Sequence, residues 1–319
     1  MSIQLTTAAV PPSGTRHVVP IRADSTQRLL GYLAALSTVL IWSGYFLSLR
    51  QGALSPLGTL ELTLFRFGVP AVILLPLLVK RWAHIRVVNP LWLVGIALGA
   101  GLPFFAISAF AMGFAPVAHG STLIPGTAPL FVTGIAVCFF HQPLSSWRRF
   151  GLFIVALGVV CLLWTAWQGQ STTLLIGQAL FLVCSLLWAL FTISVRQSGL
   201  KPLEVAAVVT IPSALLLLLY AAVAQPELSL STVSTQEWLT QLVVQGIAVG
   251  LGAGFLYGFA ISRLGAEITS ALGSLTPVCA TVLALLWLNE AVTVPTMIGL
   301  AMVTCGVIAA SGLLHRETS

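Results

Sequence analysis

The sequence predicts an all-α membrane protein: ten transmembrane helices built as two five-helix repeats of opposite orientation. Three observations carry this. Of 319 residues, 58% are hydrophobic and only 7% charged, whereas a soluble domain carries about 25% charged residues. Apolar runs of about 20 residues, the length that crosses a bilayer, recur along the whole chain, and they are continuous rather than the short alternating segments of a β-barrel. Finally, residues 39–57, VLIWSGYFLSLRQGALSPL, align without a gap on residues 185–203, SLLWALFTISVRQSGLKPL.

The elements follow in order. Residues 1–28 are polar, contain Pro11–Pro12 and lack the apolar core of a signal peptide, so a flexible cytoplasmic tail is expected. Spans are expected near 30–49, 57–79, 91–112, 116–140 and 147–166, then 175–195, 203–223, 239–262, 266–287 and 294–314, with a short cytoplasmic tail at 315–319. The repeats thus occupy 29–168 and 175–314. If the N-terminus is cytoplasmic, the inner segments carry Arg16, Arg22, Arg28, Lys80, Arg81, Arg86, Arg148, Arg149, Arg196, Lys201, Arg263 and Arg316, which are 12 of the 14 basic residues. Arg50 alone lies outside, and Arg66 lies within a span. This is the asymmetry of the positive-inside rule. It places both termini in the cytoplasm and accounts for the net charge of +6 without nucleic acid. Five cysteines fall inside apolar runs with no metal-ligand or disulfide spacing; they read as small buried hydrophobes.

Over residues 31–57 an offset of 146 gives 10 identities in 27 positions, among them Gly31, Trp42, Arg50, Gln51 and Pro56. A second block aligns at offset 148, pairing Pro129 with Pro277, Ala136 with Ala284, Gly151 with Gly299, Val155 with Val303 and Gly158 with Gly306. One unit of five spans therefore occurs twice. Because five is odd, the second copy crosses the membrane in the reverse sense. Inverted repeats recur in secondary transporters, where two oppositely inserted copies give one site that can open to either side.

Several stretches resemble the drug/metabolite transporter superfamily of the two-EamA-domain kind: LIWSGYF in span 1, LFRFGVPAVILLPLL in span 2, STLIPGTAPLFVTGIAVCFF in span 4, and YGFAISRLGAEITSALGSLTPVCATVLALLWLNEAV in spans 8–9. The wording of spans 1 and 4 is most similar to YddG-type aromatic amino-acid exporters. The resemblance implies a ten-span carrier of the bacterial inner membrane that exports small metabolites, amino acids foremost, and needs no cofactor. The chain departs from the family's Gly-Glu pair after span 4, which here is His141–Gln142; the second repeat keeps the acid as Asn289–Glu290.

Candidate site residues follow from chemistry. Arg66 stands about 14 Å into span 2 at 1.5 Å per residue. A charge at that depth costs about 2.5–3.5 kcal/mol or more, so it needs a partner: a substrate carboxylate, or carbonyls of a neighbouring span. Trp42, Tyr45 and Phe46, with Phe104, Trp164, Trp188 and Tyr257, supply ring faces for flat or cationic cargo, or else packing. Glu61 and Glu267 open spans, where a carboxylate complements the helix dipole. His119 matches Glu267 at offset 148, which makes Glu61, His119 and Glu267 candidates for proton coupling and His119 a candidate cavity residue. Pro129 and Pro277 are hinge candidates. Gly246, Gly250, Gly254 and Gly258 form a small-residue stripe for helix packing.

No P-loop, HExxH motif, catalytic triad or potassium-filter sequence is present, so no catalytic residues, metal or enzyme activity are expected. The expected partners are a small molecule and the lipid bilayer. A multidrug or quaternary-cation exporter is the alternative. It requires a buried acid facing the cavity, and Glu61 and Glu267 both read as terminal. A channel or an intramembrane enzyme is disfavoured.

Overall fold

The computed structural model describes residues 25–311, apart from the side chains of Phe140, Ala266 and Glu267. The predicted tails lie largely outside the described residues. Ten helical spans follow one another through short connections: α1 (Ser25–Leu54), α2 (Thr59–Ile85), α3 (Pro90–Ala111), α4 (Val117–Phe140), α5 (Ser146–Gln168), α6 (Thr172–Ser198), α7 (Pro202–Ala224), α8 (Thr235–Leu264), α9 (Ala266–Gly273 and Thr276–Trp287) and α10 (Val294–Ala310). Among the described residues nine spans are long and apolar enough to cross a membrane; α10 is an apolar helix of 17 residues. Their starts are written locally. The side chains of Asn89, Ser145, Ser171, Ser234 and Thr293 each accept a hydrogen bond from a backbone N–H in the first turn of the helix that follows, groups that a helix cannot satisfy by itself.

Several helices overrun the expected spans, most at the two ends of α1 and at the end of α2. α1 begins at Ser25, so the end of the predicted tail is already helical. α2 continues to Ile85, because Lys80 and Arg81 have stems long enough to carry their charge clear of the apolar layer.

Three spans are irregular. α3 breaks at Gly101 into Pro90–Ala100 and Leu102–Ala111, and the freed N–H of Leu102 donates to Ser213 Oγ of α7 at 3.0 Å. Its repeat counterpart, α8, winds as a π-helix over Leu242–Ala253, a rare form. α9 breaks at Ser274–Leu275. Pro277 then falls in the first turn of the second piece, where its missing N–H has no intrahelical role. α4, by contrast, is continuous through Pro125 and Pro129. The two prolines expected to be equivalent hinges therefore sit in unlike backbones, and only the second adjoins a break.

The halves interlock about a pseudo-two-fold axis. α1 packs on α8 while its counterpart α6 packs on α3, α2 packs on α7, and α5 on α10. Glycines matched by the repeat permit several close approaches. A Cβ on Gly31 would lie 2.8 Å from Leu264 at the end of α8; one on Gly177 would lie 2.7 Å from Ala115 just past the end of α3. Along the α5–α10 seam, Cβ atoms on Gly151 and Gly306 would each meet the other's carbonyl oxygen, at 2.7 and 2.8 Å; for Gly158 and Gly299 the figures are 2.9 and 3.0 Å. Lipid tails offer helices no hydrophobic drive to associate, so close backbone contact through small residues holds such a bundle together.

Candidate functional site

On α1, residues 42, 45, 46 and 49 recur at helical spacing and point to the junction of the halves. Tyr45, Phe46 and Leu49 are buried, and Trp42 is half-buried. Trp42 meets Tyr257 of α8 with ring centroids 5.1 Å apart and planes at 44°. Trp188, the repeat mate of Trp42, meets Phe104 of α3 at 5.5 Å and 41°. Each half thus lays its tryptophan on an aromatic residue of the other half's third span, in nearly the same tilted geometry. A Cβ on Gly273, at the break of α9, would lie 3.9 Å from both Trp42 and Tyr257. One ring pair therefore borders interrupted backbone, the kind of element around which transporters build sites.

Tyr45 leads from this junction toward Arg66. Its ring touches Phe46 (5.1 Å) and Phe105 (6.4 Å), and Phe105 in turn meets Phe67 at 5.7 Å. The Arg66 guanidinium lies 5.4 Å from the Phe67 ring centroid. Arg66 is half-buried, and its buried Nη1 has no hydrogen-bond partner.

The remaining sequence candidates lie elsewhere. His119 is buried on α4. Gln178 Nε2 donates to its Nδ1 at 2.9 Å and also to the Leu162 carbonyl, while Thr296 Oγ1 stands 3.5 Å from its Nε2. It joins α4, α5, α6 and α10 rather than the aromatic group. Trp164 is 51% exposed and forms no ring pair among the described residues. Glu61 accepts from the backbone N–H of Gly58 and of Ser229, at 3.0 and 2.7 Å. The Glu267 side chain lies outside the described residues. Of the glycine stripe, a Cβ on Gly246 would meet the Phe65 carbonyl at 2.7 Å and one on Gly250 Pro70 Cγ at 2.5 Å, both on α2. Nothing stands within 4 Å of Gly254, and only Pro202, at 3.9 Å, faces Gly258. The π-helical winding ends at Ala253, and with it the stripe's contact with α2. Among the described residues no cluster of three or more His, Cys, Asp or Glu is arranged for a metal.

Sequence reasoning missed several relationships. Glu204 is buried at the third position of α7 and accepts from Lys201 N–H at 2.9 Å, with His84 at 3.3 Å and Arg81 at 3.9 Å. It is the structural counterpart of Glu61, which holds the third position of α2. The offset between them is 143, so the gapless alignment at 146 hid the match. Gln241 and Gln245 of α8 bond Ser48 of α1, apolar-run glutamines that carried no signal by themselves. Arg50 pairs with Glu290 at 2.7 Å; their spacing of 240 residues gives no local pattern.

Ten apolar helices in two interlocked halves, with an interrupted span bordering one of two mirrored aromatic pairs at the junction, define a polytopic membrane protein of transporter architecture. The chain belongs to the EamA-like transporter family, which matches residues 29–164 and 175–312. It is similar to the uncharacterized transporter YoaV of Bacillus subtilis, 22% identical over 283 residues, which are 86% of this chain and 94% of that protein. An uncharacterized protein of Methanocaldococcus jannaschii is 32% identical over 79 residues, 25% of this chain and 57% of that one. A solved crystal structure shares the fold, with a TM-score of 0.59 and 20% identity, covering 92% of this chain and 99% of its own.

Proposed function

We propose that this transporter exports small metabolites, amino acids foremost and aromatic ones among them, by alternating access across a bacterial inner membrane, with both termini cytoplasmic. The observation that carries the reading is the mirrored pairing of Trp42 with Tyr257 and of Trp188 with Phe104. Rocking the halves in opposite senses separates one pair as it closes the other, so that cargo between them meets each compartment in turn. The rings take the side chain of the cargo. Backbone carbonyls at the α9 break take its ammonium group. The distribution of basic residues supports the orientation.

The test is counterflow into proteoliposomes with a panel of amino acids and quaternary ammonium ions, with and without a pH gradient. Saturable exchange of aromatic amino acids supports the reading. Exchange of the cations alone would transfer the protein to the multidrug class, and flux that never saturates would make it a channel.

A further inference from the structure

Arg66 stands apart from every other charge among the described side chains. Among the described side chains the carboxylates are Glu61, Glu204, Glu227, Glu237 and Glu290. Glu61 is engaged by backbone N–H groups, Glu204 by Lys201 N–H, His84 and Arg81, and Glu290 by Arg50 and Val117 N–H. Glu227 and Glu237 lie in and just after the α7–α8 connection. None reaches Arg66, which makes no hydrogen bond among the described residues: Nη1 is buried without a partner, and the side chain as a whole keeps an open edge.

Two hydroxyls stand nearby. The Tyr45 hydroxyl lies within electrostatic reach of both Ser108 and Arg66. Ser108 Oγ is itself fully buried without a partner. Gly250 lets the α8 backbone come close to the guanidinium: a Cβ there would lie 3.2 Å from Arg66 Nη1 and 2.5 Å from Pro70 Cγ. The repeat offers no second charge. Counting five residues on from Glu61 gives Arg66, and five on from Glu204 gives Val209, a buried apolar side chain.

A lone guanidinium with unused donors in an apolar, ring-lined setting is costly unless an anion meets it. The donors present are a planar cation and two hydroxyls, the set that holds a carboxylate. We infer that Arg66, with Tyr45 and Ser108, forms an anion subsite that takes the carboxylate of the cargo. This rests on the transporter reading above and adds polarity to it: one half of the protein binds the acid end, so the cargo enters in a single orientation and an amine lacking the acid is discriminated against.

The test measures binding and exchange of matched pairs by purified, reconstituted protein: L-tryptophan against tryptamine, L-phenylalanine against phenethylamine, and benzoate against benzylamine. Wild type should favour each carboxylate it accepts by about tenfold or more, the scale of a hydrogen bond to a charged group. Arg66→Gln should erase that preference, and Arg66→Lys should keep part of it, since a point charge survives without the planar fork. The wild-type comparison stands even if Arg66→Gln does not fold. A preference confined to benzoate would sustain the subsite while removing the amino-acid reading. Equal handling of acid and amine by wild type, an undiminished preference in folded Arg66→Gln, or no acceptance of any carboxylate overturns the subsite.

Discussion

Arg50 Nε donates to Glu290 Oε1 at 2.7 Å across 240 positions of sequence, and the pair closes one face of the bundle. Arg50 also donates to the Met112 carbonyl, and Glu290 Oε2 accepts from Val117 N–H at 2.9 Å. The end of α1, the α3–α4 connection and the turn after α9 are thereby tied together. On the opposite face the same turn is built with other side chains. His141 and Asn289 both adopt left-handed backbone, at φ 51° and 52°. Gln142 N–H reaches the Ala136 carbonyl as Glu290 N–H reaches that of Ala284. There the acid is replaced by glutamine, and Arg196 is exposed.

Charge pairing of this kind is measured by a double-substitution cycle. Arg50→Gln and Glu290→Gln should each lower thermal stability in detergent, with a coupling of about 1–3 kcal/mol between them, the range for hydrogen bonds to charged groups. Simple additivity of the two losses would show that the pair contributes nothing. Gln142→Glu should give Arg196 a mate and slow thiol labelling of cysteines engineered on that face; unchanged labelling rates would count against the mirrored relationship.

The ring pairs are tested by truncation. Trp42→Ala, Tyr257→Ala and Trp188→Ala should each lower counterflow several-fold or more while the protein still elutes as a folded species. Wild-type rates in all three would remove the rings from the transport path.

His119 is held as an acceptor at Nδ1, because Gln178 Nε2 also donates to the Leu162 carbonyl and cannot exchange places with its own oxygen without losing that bond. His119→Ala should therefore cost about 1–3 kcal/mol of stability, because one buried N–H of Gln178 loses its acceptor while the other keeps the Leu162 carbonyl, and should leave the pH profile of transport in place. A displaced profile would restore His119 to the coupling role its spacing suggested.

Glycine substitutions should divide by location. Gly158→Ala and Gly306→Ala push a methyl against backbone and should destabilise by about 1–3 kcal/mol. Gly254→Ala meets nothing within 4 Å and should gain up to about 1 kcal/mol from helix propensity. Thermal unfolding of the three variants, compared side by side, decides this; equal losses at all three would contradict the seam.

Hydropathy and the two repeat offsets made the spans and their inversion legible, because both depend on single residues and fixed spacing. The paired tryptophans were legible for the same reason, since Trp42 and Trp188 share one register. What escaped was relational. Glu204 was hidden by a shift in register between the second spans, Gln178 and Gln241 by their setting in apolar runs, and the break in α9 by prolines that look alike in sequence but stand differently along their helices. Trp164 read as a cavity ring from its type alone; its outward-facing position on α5 depends on which side α10 occupies.

The seam between α5 and α10 has a further geometric meaning. Gly151 and Gly158 lie seven residues apart, as do Gly299 and Gly306, two helical turns along one stripe. Each glycine meets the partner at the other end of the opposing stripe, so the surface is complementary to its own upside-down image. A polypeptide of half this length, inserted in both directions, would carry everything needed to recognise itself.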